Sequence, residues 1–359
     1  MILIGQCFQM FPKRRRLNII LMVLISFFAF YLLYKSVTNF NARDLISQLG
    51  LFKYDAIENE DDDVVYDYID DTNELEIQKR YEFPYKFILD EPNICRGDLQ
   101  VVNIIPVRAS DRPAREGVRR TWGLKEVVES TKLKPLFLIG ASKSPEEQQS
   151  LEKESQAFHD IIQIDIVDSY LNLTLKTLTA LYWKQGQCQH VPWLLKSDTD
   201  VFLHPWAVTK TLMWAKKDFV CKVLKQRHVC RSVNKKCRDG RWVMSREIYP
   251  HDRYPPYCNG PAYALNQKAV REVLSAASFR KTHFAMEDIY FTGILPQGLN
   301  LQYYDVGSRM CLYHLESPPY DKLAGDNALF VVDSFGKSGG KYTHDDLWQF
   351  LNVSRFTRV

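Results

Sequence analysis

Asp198 and Asp200 are two carboxylates, spaced by two, that follow an apolar segment at 193–197. The segment predicts a buried strand, and residues two apart in extended backbone point to the same side. The pair would then face one hard divalent cation at the end of a strand, where open α/β sheets bind ligands. Such a cation keeps positions for phosphate oxygens, so the pair predicts a nucleotide diphosphate site. Acidic pairs after strands are common, so the motif alone does not establish a metal site. Support for a metal site must come from the rest of the chain.

The segments around this pair alternate between strand-like and helix-like patterns. Strands are predicted at 101–107, 136–140 and 160–167, and helices at 113–121, 144–159 and 173–184. Alternation of this kind predicts an α/β fold with a mostly parallel sheet and helices on both faces. The sequence has neither the glycine-rich dinucleotide-binding motif nor a P-loop, which excludes the usual dinucleotide and NTPase sites.

The first 95 residues predict a membrane anchor and a spacer. A basic cluster at 13–16 precedes an uncharged apolar run at 17–34, which is long enough to span a bilayer. The run lacks the small-residue cleavage site of a signal peptide, so we predict a cytoplasmic tail at 1–16 and a type II signal anchor at 17–34. Residues 35–95, with eleven acids between Asp55 and Glu76, predict a lumenal stem that precedes a globular domain at 96–359.

The distribution of charge bears on the class of ligand. The formal net charge is +4 over 359 residues, and because the stem concentrates the acids, the globular part is more basic than the whole. A positively charged globular domain attracts anions such as nucleotide phosphates. An ordinary solvated surface could have the same net charge without binding any ligand. No basic stripe with interleaved aromatics is present in the sequence, so we predict no binding of nucleic acid.

The cysteines and glycosylation sequons agree with a lumenal domain. Cys7 precedes the anchor, and the other seven cysteines follow it. Disulfides are expected in an oxidising lumen, and an odd number leaves at least one thiol without a partner in the chain. Asn172 and Asn352 each begin an N-glycosylation sequon, which makes both candidate sites of glycan attachment.

Six motifs that occur in order along the chain resemble those of a known family. They are R-E-G-V-R-R-T-W-G at 115–123, F-L-I-G at 137–140, D-I-V-D-S-Y-L-N-L-T-L-K-T at 165–177, K-S-D-T-D-V-F at 196–202, Y-P-P-Y-C-N-G at 254–260 and E-D-I-Y-F-T-G at 287–293. Together they resemble the β-1,3-glycosyltransferases of glycosyltransferase family 31, which transfer galactose or N-acetylglucosamine. The resemblance implies a GT-A fold, with a Rossmann-like sheet that binds the nucleotide sugar, on a single-pass type II anchor in the Golgi membrane.

The resemblance also implies a reaction and a cofactor. The reaction would move galactose or an N-acetylhexosamine from a UDP-sugar, with inversion, to a glycan on a lipid or a protein in β-1,3 linkage. The cofactor would be a divalent cation, usually Mn²⁺, held by Asp200 with help from Asp198, which could instead contact the donor's ribose and sugar. His314 resembles a C-terminal histidine that helps to hold the metal in related enzymes, but a lone histidine is more often structural. The sequence allows a homodimer.

By the same resemblance, Asp288 is the base that takes the proton of the acceptor hydroxyl. The sequence does not separate it from its neighbour Glu287, and both acids also suit the first turn of a helix. Arg108, Arg115 and Arg119 are candidate contacts for the uridine diphosphate, because a guanidinium group matches phosphate in bidentate geometry. The alternative for the two arginines on the predicted helix is a solvated basic face.

Two segments depart from the family pattern and leave the donor and the acceptor open. Residues 259–262 read Asn-Gly-Pro-Ala in place of a more glycine-rich run, and residues 221–236 carry additional cysteines and basic residues. Two other functions remain: an inactive lumenal accessory or binding protein on the same scaffold, and a glycoside hydrolase with paired carboxylates. The intact D-x-D and E-D pairs favour the transferase over both.

Overall fold

The computed structural model describes residues 85–234, 237, 240–280, 284–312, 322–323, 327–332 and 342–356. All of them belong to one unit, Glu58–Val359. The predicted tail and anchor, most of the predicted stem, and His314 lie outside the described residues. Among the described residues, no helix combines the length and the apolar character needed to cross a bilayer.

The described residues form eleven β-strands in two sheets. The strands are β1 (Phe87–Leu89), β2 (Val101–Pro106), β3 (Leu133–Ala141), β4 (Ile161–Val167), β5 (Trp193–Ser197), β6 (Val201–Leu203), β7 (Phe219–Leu224), β8 (Tyr257–Asn266), β9 (Tyr303–Asp305), β10 (Met310–Leu312) and β11 (Phe330–Val332). The main sheet has the order β1-β4-β3-β2-β5-β8-β7-β9, and the smaller sheet has the order β10-β11-β6.

The main sheet is mixed, whereas the sequence predicted a mostly parallel one. Strands β2, β3, β4 and β5 are parallel to one another, and β1 and β8 are antiparallel to their neighbours β4 and β5. The long connection 225–256 between β7 and β8 reverses the chain, so the two strands it joins pair antiparallel. As a result, the start of β8 lies beside the carboxyl end of β5.

Eight α-helices are described. They are α1 (Arg112–Arg119), α2 (Lys125–Thr131), α3 (Pro145–Phe158), α4 (Leu173–Gln187), α5 (Pro205–Trp214), α6 (Gln267–Ser278), α7 (Glu287–Ile289) and α8 (His344–Phe356). The predicted helices correspond to α1, α3 and α4, with small shifts at their ends. Ser144 caps α3 by accepting a bond from the backbone N–H of Glu147, as expected for a serine before a proline at the first helical position. Asp111 precedes α1, but its side chain makes no capping hydrogen bond.

Apolar side chains are buried on both faces of the main sheet. Leu178 of α4 and Val273 of α6 belong to the cluster on one face. Val118 of α1 and Leu347 of α8 belong to the cluster on the other. Helices therefore cover both faces, as predicted, and every position of β5 is buried. The functional side chains can reach solvent only at the edges of this sheet.

Six cysteines of the described residues form three disulfides. The pairs are Cys95–Cys188, Cys221–Cys258 and Cys230–Cys237. Cys311 is a buried free thiol. The expectation of disulfides with one thiol left over is confirmed for the cysteines after the predicted anchor.

Candidate active site

The two aspartates of the D-x-D motif lie at the carboxyl end of β5, in the turn that leads to the second sheet. Strand β5 ends at Ser197, and the N–H of Val201 donates to the carbonyl of Asp198 at 3.3 Å to close the turn. The prediction that Asp198 and Asp200 continue an extended strand is therefore wrong. The chain leaves the main sheet at this point, because β6 pairs with β11 of the smaller sheet. Both aspartates are half-buried.

Lys196 links the D-x-D motif to the E-D motif. Its buried ammonium group donates to Asp198 Oδ1 at 2.6 Å and to the carbonyl of Gly260 at 2.8 Å. It also lies 3.7 Å from Glu287 Oε2. Burial opposes its charge, but the carboxylates of Asp198 and Glu287 outweigh burial and raise the pKa of Lys196 above its ordinary value. The sequence motifs assign this lysine no role. The available signals were its place at the start of the motif at 196–202 and its spacing of two from Asp198.

Glu287 is held inside the protein by three neighbours. It is buried, and it accepts hydrogen bonds from Thr177 Oγ1 at 2.9 Å and from the hydroxyl of Tyr263. Burial raises the pKa of Glu287, and the charge of Lys196 opposes this rise. The contacts of Glu287 are therefore those of a structural anchor between α4, β8 and α7.

Asp288 lies beside Gly260, at the same edge of the sheet. One carboxylate oxygen, Oδ1, accepts from the N–H of Ile289 at 2.9 Å. The other, Oδ2, lies only 2.9 Å from the point where a Cβ on Gly260 would stand, so a side chain at this position would displace the carboxyl group of Asp288. Burial, followed by the charge of Glu287, raises the pKa of Asp288 to about 7. The structure thus distinguishes two adjacent acids that the sequence could not separate.

Arg115 and Arg119 form a buried ion cluster with Glu154 of α3 and with Asp160, which follows the end of α3. Arg115, 1% exposed, donates to both carboxylate oxygens of Glu154 at 2.7 and 2.8 Å and to the carbonyl of Arg108 at 2.8 Å. Arg119 donates to Glu154 at 2.6 Å and to Asp160 at 2.7 and 2.8 Å. The alternative of a solvated basic face is therefore wrong. These contacts tie α1 to α3, and they give both guanidinium groups partners within the protein.

Arg108 is exposed directly after β2, unlike the two helical arginines. Next to it, the buried ammonium group of Lys176 forms an ion pair with Asp168 and donates a hydrogen bond to the carbonyl of Val107 at 2.9 Å. Burial lowers the pKa of Lys176, and the charge of Arg108 lowers it further. Asp168 in turn accepts from the N–H of Gly140 at 3.0 Å. Arg108 therefore adds an accessible positive charge at the carboxyl ends of β2, β3 and β4, and a contact with the diphosphate stays a prediction.

The donor set at this edge fits a hard divalent cation. Asp198 and Asp200 offer half-buried carboxylate oxygens, which are the ligands that Mg²⁺ and Mn²⁺ take from proteins. Among the described residues, no three His, Cys, Asp or Glu side chains come together as a complete metal site. Two carboxylates suit a cation that completes its coordination with the oxygens of a bound diphosphate and with water.

Both sequon asparagines belong to helical elements. Asn172 lies in the 3₁₀ turn before α4, and its Nδ2 donates to the carbonyl of Val167 at 2.7 Å. Thr174 of the same sequon is buried and donates to the carbonyl of Phe284 at 2.8 Å. Asn352 is half-buried on α8. Glycosylation of either asparagine stays a prediction.

Comparison with known proteins identifies the family. A family model described as Galactosyltransferase matches residues 113–307. Beta-1,3-galactosyltransferase 1 of Mus musculus and that of Homo sapiens are each 30% identical over 241 residues, which is 64% of this chain and 72% of the relative. Beta-1,3-galactosyltransferase 2 of Homo sapiens is 29% identical over 216 residues, or 58% of this chain and 50% of the relative. This chain belongs to the galactosyltransferase family, which confirms the resemblance seen in its motifs.

One solved structure gives a more distant likeness. It is a crystal structure of a glycosyltransferase involved in the glycosylation of the major capsid of PBCV-1. The match has a TM-score of 0.34 and 11% identity, over 70% of this chain and 98% of the other. At this level the likeness supports no statement about the present protein.

Proposed function

We propose that this protein is an inverting β-1,3-glycosyltransferase that transfers galactose, or an N-acetylhexosamine, from a UDP-sugar to a glycan on a lipid or a protein. The observation that carries the proposal is Asp288, an acid with a pKa of about 7 on the sheet edge that holds Asp198 and Asp200. The family and the names of the relatives support the choice of galactose. The proposal includes a GT-A fold and a type II anchor in the Golgi membrane, and the disulfides agree with an oxidising compartment.

Asp288 is the base of the proposed reaction. Its free Oδ2 accepts the proton of the acceptor hydroxyl while the hydroxyl oxygen attacks the anomeric carbon of the donor sugar. The new bond forms on the face opposite the departing UDP, which leaves with the electrons of the broken bond, so the configuration inverts. A base with a pKa near neutrality is ionised in much of the population and still accepts a proton readily. A divalent cation bound by Asp200 and Asp198 would neutralise charge on the leaving diphosphate.

Lys196 is a positioning residue in this mechanism. It holds Asp198 against β8 through the carbonyl of Gly260 and balances the buried charge of Glu287. Its positive charge also keeps the pKa of Asp288 from rising further. One side chain thus links Asp198, on the proposed metal side of the site, to Glu287, the neighbour of the proposed base.

A donor screen tests the proposed function. The detergent-solubilised chain is incubated with UDP-galactose, UDP-N-acetylglucosamine or UDP-N-acetylgalactosamine and a panel of oligosaccharides, with Mn²⁺ or with EDTA. We expect transfer from one donor, lost in EDTA and restored by Mn²⁺, and an Asp200→Ala variant that folds but does not transfer, because the diphosphate keeps its full charge. An unchanged rate in EDTA, or in folded Asp200→Ala, would overturn the metal assignment. No transfer by the folded wild-type chain would favour the accessory protein.

Adding one methyl group beside Asp288 tests the geometry of the base. In Gly260→Ala the new Cβ would stand 2.9 Å from Asp288 Oδ2 and 3.3 Å from its Cγ, so the carboxyl group must move. We expect kcat to fall about 100-fold, because a displacement of this size at a reacting group has large effects, while the melting temperature changes little.

Gly186→Ala is the matched control for this variant. Gly186 lies in α4, and nothing stands within 4 Å of its Cβ position. Alanine there should leave kcat unchanged and stabilise the helix slightly. Equal kcat in the two alanine variants would show that the position of Asp288 does not matter for transfer.

A further inference from the structure

Two exposed aromatic side chains, one before α4 and one in the connection between β7 and β8, lie against each other. Tyr170 and Trp242 are 41% and 44% exposed. Trp242 Nε1 donates to the hydroxyl of Tyr170 at 3.0 Å, and the guanidinium carbon of Arg241 lies 4.6 Å from the centre of the Tyr170 ring. We call Tyr170, Arg241 and Trp242 the aromatic platform. Neither the proposed base nor the proposed metal site uses it.

Helix α4 connects the aromatic platform to the segment that carries Asp288. Tyr170 begins the 3₁₀ turn Tyr170–Asn172, which leads directly into α4. Farther along α4, Thr177 donates to Glu287, the neighbour of Asp288. At the rise of a helix, the seven residue-to-residue steps from Tyr170 to Thr177 span about 10 Å. A short oligosaccharide whose terminal hydroxyl reaches Asp288 can therefore extend over the platform.

The segment between β7 and β8 holds Trp242 in place. The disulfide Cys230–Cys237 closes a small loop, and the N–H of Met244 donates to the carbonyl of Cys230 at 2.8 Å. Arg231 donates to the carbonyl of Met244 at 2.9 Å, and the side chain of Met244 is buried. The additional cysteines and basic residues of this segment, which the family motifs leave unexplained, thus fix an exposed tryptophan beside Tyr170.

We propose that the aromatic platform is a subsite for the acceptor glycan. A pyranose ring next to the sugar that receives the transfer would pack its apolar C–H face against Tyr170 and Trp242. Arg241, which has only hydrogen-bond donors, would bind the hydroxyl oxygens at the rim of that ring. Tyrosine and tryptophan combine an aromatic ring with one polar O–H or N–H group. They therefore suit a ligand with an apolar face and hydroxyl groups at its edge. This inference rests on the proposed function, because the ligand it names is the acceptor of that reaction.

The kinetics of Trp242→Ala with two acceptors test the subsite. The acceptors are an oligosaccharide and a simple glycoside of its terminal sugar, each used with the donor that the wild-type chain accepts. We expect the KM for the oligosaccharide to rise about tenfold, the scale of one lost aromatic contact with a ligand. The KM for the simple glycoside and that for the donor should not change. Trp242→Phe, which keeps a ring, should recover most of the lost affinity.

Trp214→Ala is the control substitution. Trp214 is 79% exposed and ends α5, shortly before β7 starts. Because β7 is parallel to β5, the start of β7 lies at the sheet edge opposite Asp198. The control should keep both acceptor KM values, and melting temperatures should show that both alanine variants fold.

Two results would overturn the subsite. If the wild-type chain transfers sugar and folded Trp242→Ala keeps the wild-type preference for the oligosaccharide, the acceptor does not touch the platform, and a glycan on nearby Asn172 is the better candidate to cover it. If the wild-type chain transfers sugar to no acceptor, the proposed function fails and the subsite fails with it.

Discussion

Replacing Asp288 with asparagine is expected to slow sugar transfer by orders of magnitude and, at the same time, to stabilise the protein at pH 8. Asparagine keeps the shape of the side chain but accepts no proton, and the loss of a general base lowers kcat by about 10²–10⁴-fold. Glu287 should not replace the lost base, because Lys196, Thr177 and Tyr263 hold its carboxylate inside the protein.

The expected gain in stability follows from the raised pKa of Asp288. The group ionises near its ordinary value of 3.8 in the unfolded chain and at about 7 in the folded one. Its ionisation therefore destabilises the fold progressively as the pH rises from about 4 to about 7, and fully above that. The asparagine side chain of the variant cannot ionise. Allowing for solvent screening of a half-buried group, we expect a gain of about 2 kcal/mol at pH 8, or roughly 4–8 °C in melting temperature.

Thermal unfolding of both proteins between pH 5 and pH 8, with kcat measured beside it, checks this prediction. The difference in melting temperature should grow with pH. Asp252→Asn is the control, because Asp252 is an exposed acid that pairs with Arg246 on the surface. It should change neither activity nor stability appreciably. Transfer that survives in Asp288→Asn and is lost in folded Glu287→Gln would assign the base to the other acid.

Replacing Lys196 with methionine is expected to damage both stability and activity. The change removes the cation between Asp198 and Glu287 and leaves a buried carboxylate without its counter-charge. Breaking a buried ion pair from one side costs about 3–5 kcal/mol. Asp198 also loses the contact that holds it against β8, so we expect kcat to fall at least about 100-fold, as for other misplaced groups at a reacting centre.

Lys184→Met separates this effect from the removal of any buried lysine. Lys184 is also buried, and it donates to the carbonyl of Val191 at 2.6 Å and to the side chain of Gln267. Burial lowers the pKa of Lys184 to about 8. Both of these partners are neutral, so its loss should cost less in urea unfolding and leave kcat unchanged. If the two methionine variants lose equal stability and both keep full activity, Lys196 does not have the proposed role.

The local parts of the fold were predictable from the sequence. The strands and helices from β2 to α4, with the exception of the short helix α2, follow from short-range patterns, and Ser144 caps α3 through a contact three residues away. The turn at Asp198 was not predictable. The turn depends on the pairing of Phe202 with Val331, which lies far along the chain. No local sequence pattern indicates that the chain passes from one sheet to another at this point.

The site shows the same division between local and distant contacts. The motifs identified Asp198, Asp200 and the E-D pair, but adjacency in sequence does not say which of two acids points inward. The role of Lys196 depends on its hydrogen bond to the carbonyl of Gly260, which is 64 residues away in the sequence. Arg115 looked like a phosphate ligand because its partner Glu154 lies on another helix. For residues that act through distant charges, the sequence motifs mark the position but do not identify the partner.

The most direct test of the mechanism is the linkage of the product, determined by NMR after reaction with the donor that the chain accepts. The mechanism predicts a β bond to the 3-hydroxyl of the acceptor, formed from the α-linked UDP-sugar, and at least about 100-fold slower formation of this product by Asp288→Asn. A product with an α bond would show retention of configuration. A single base at Asp288 does not produce that outcome, so retention would contradict the mechanism.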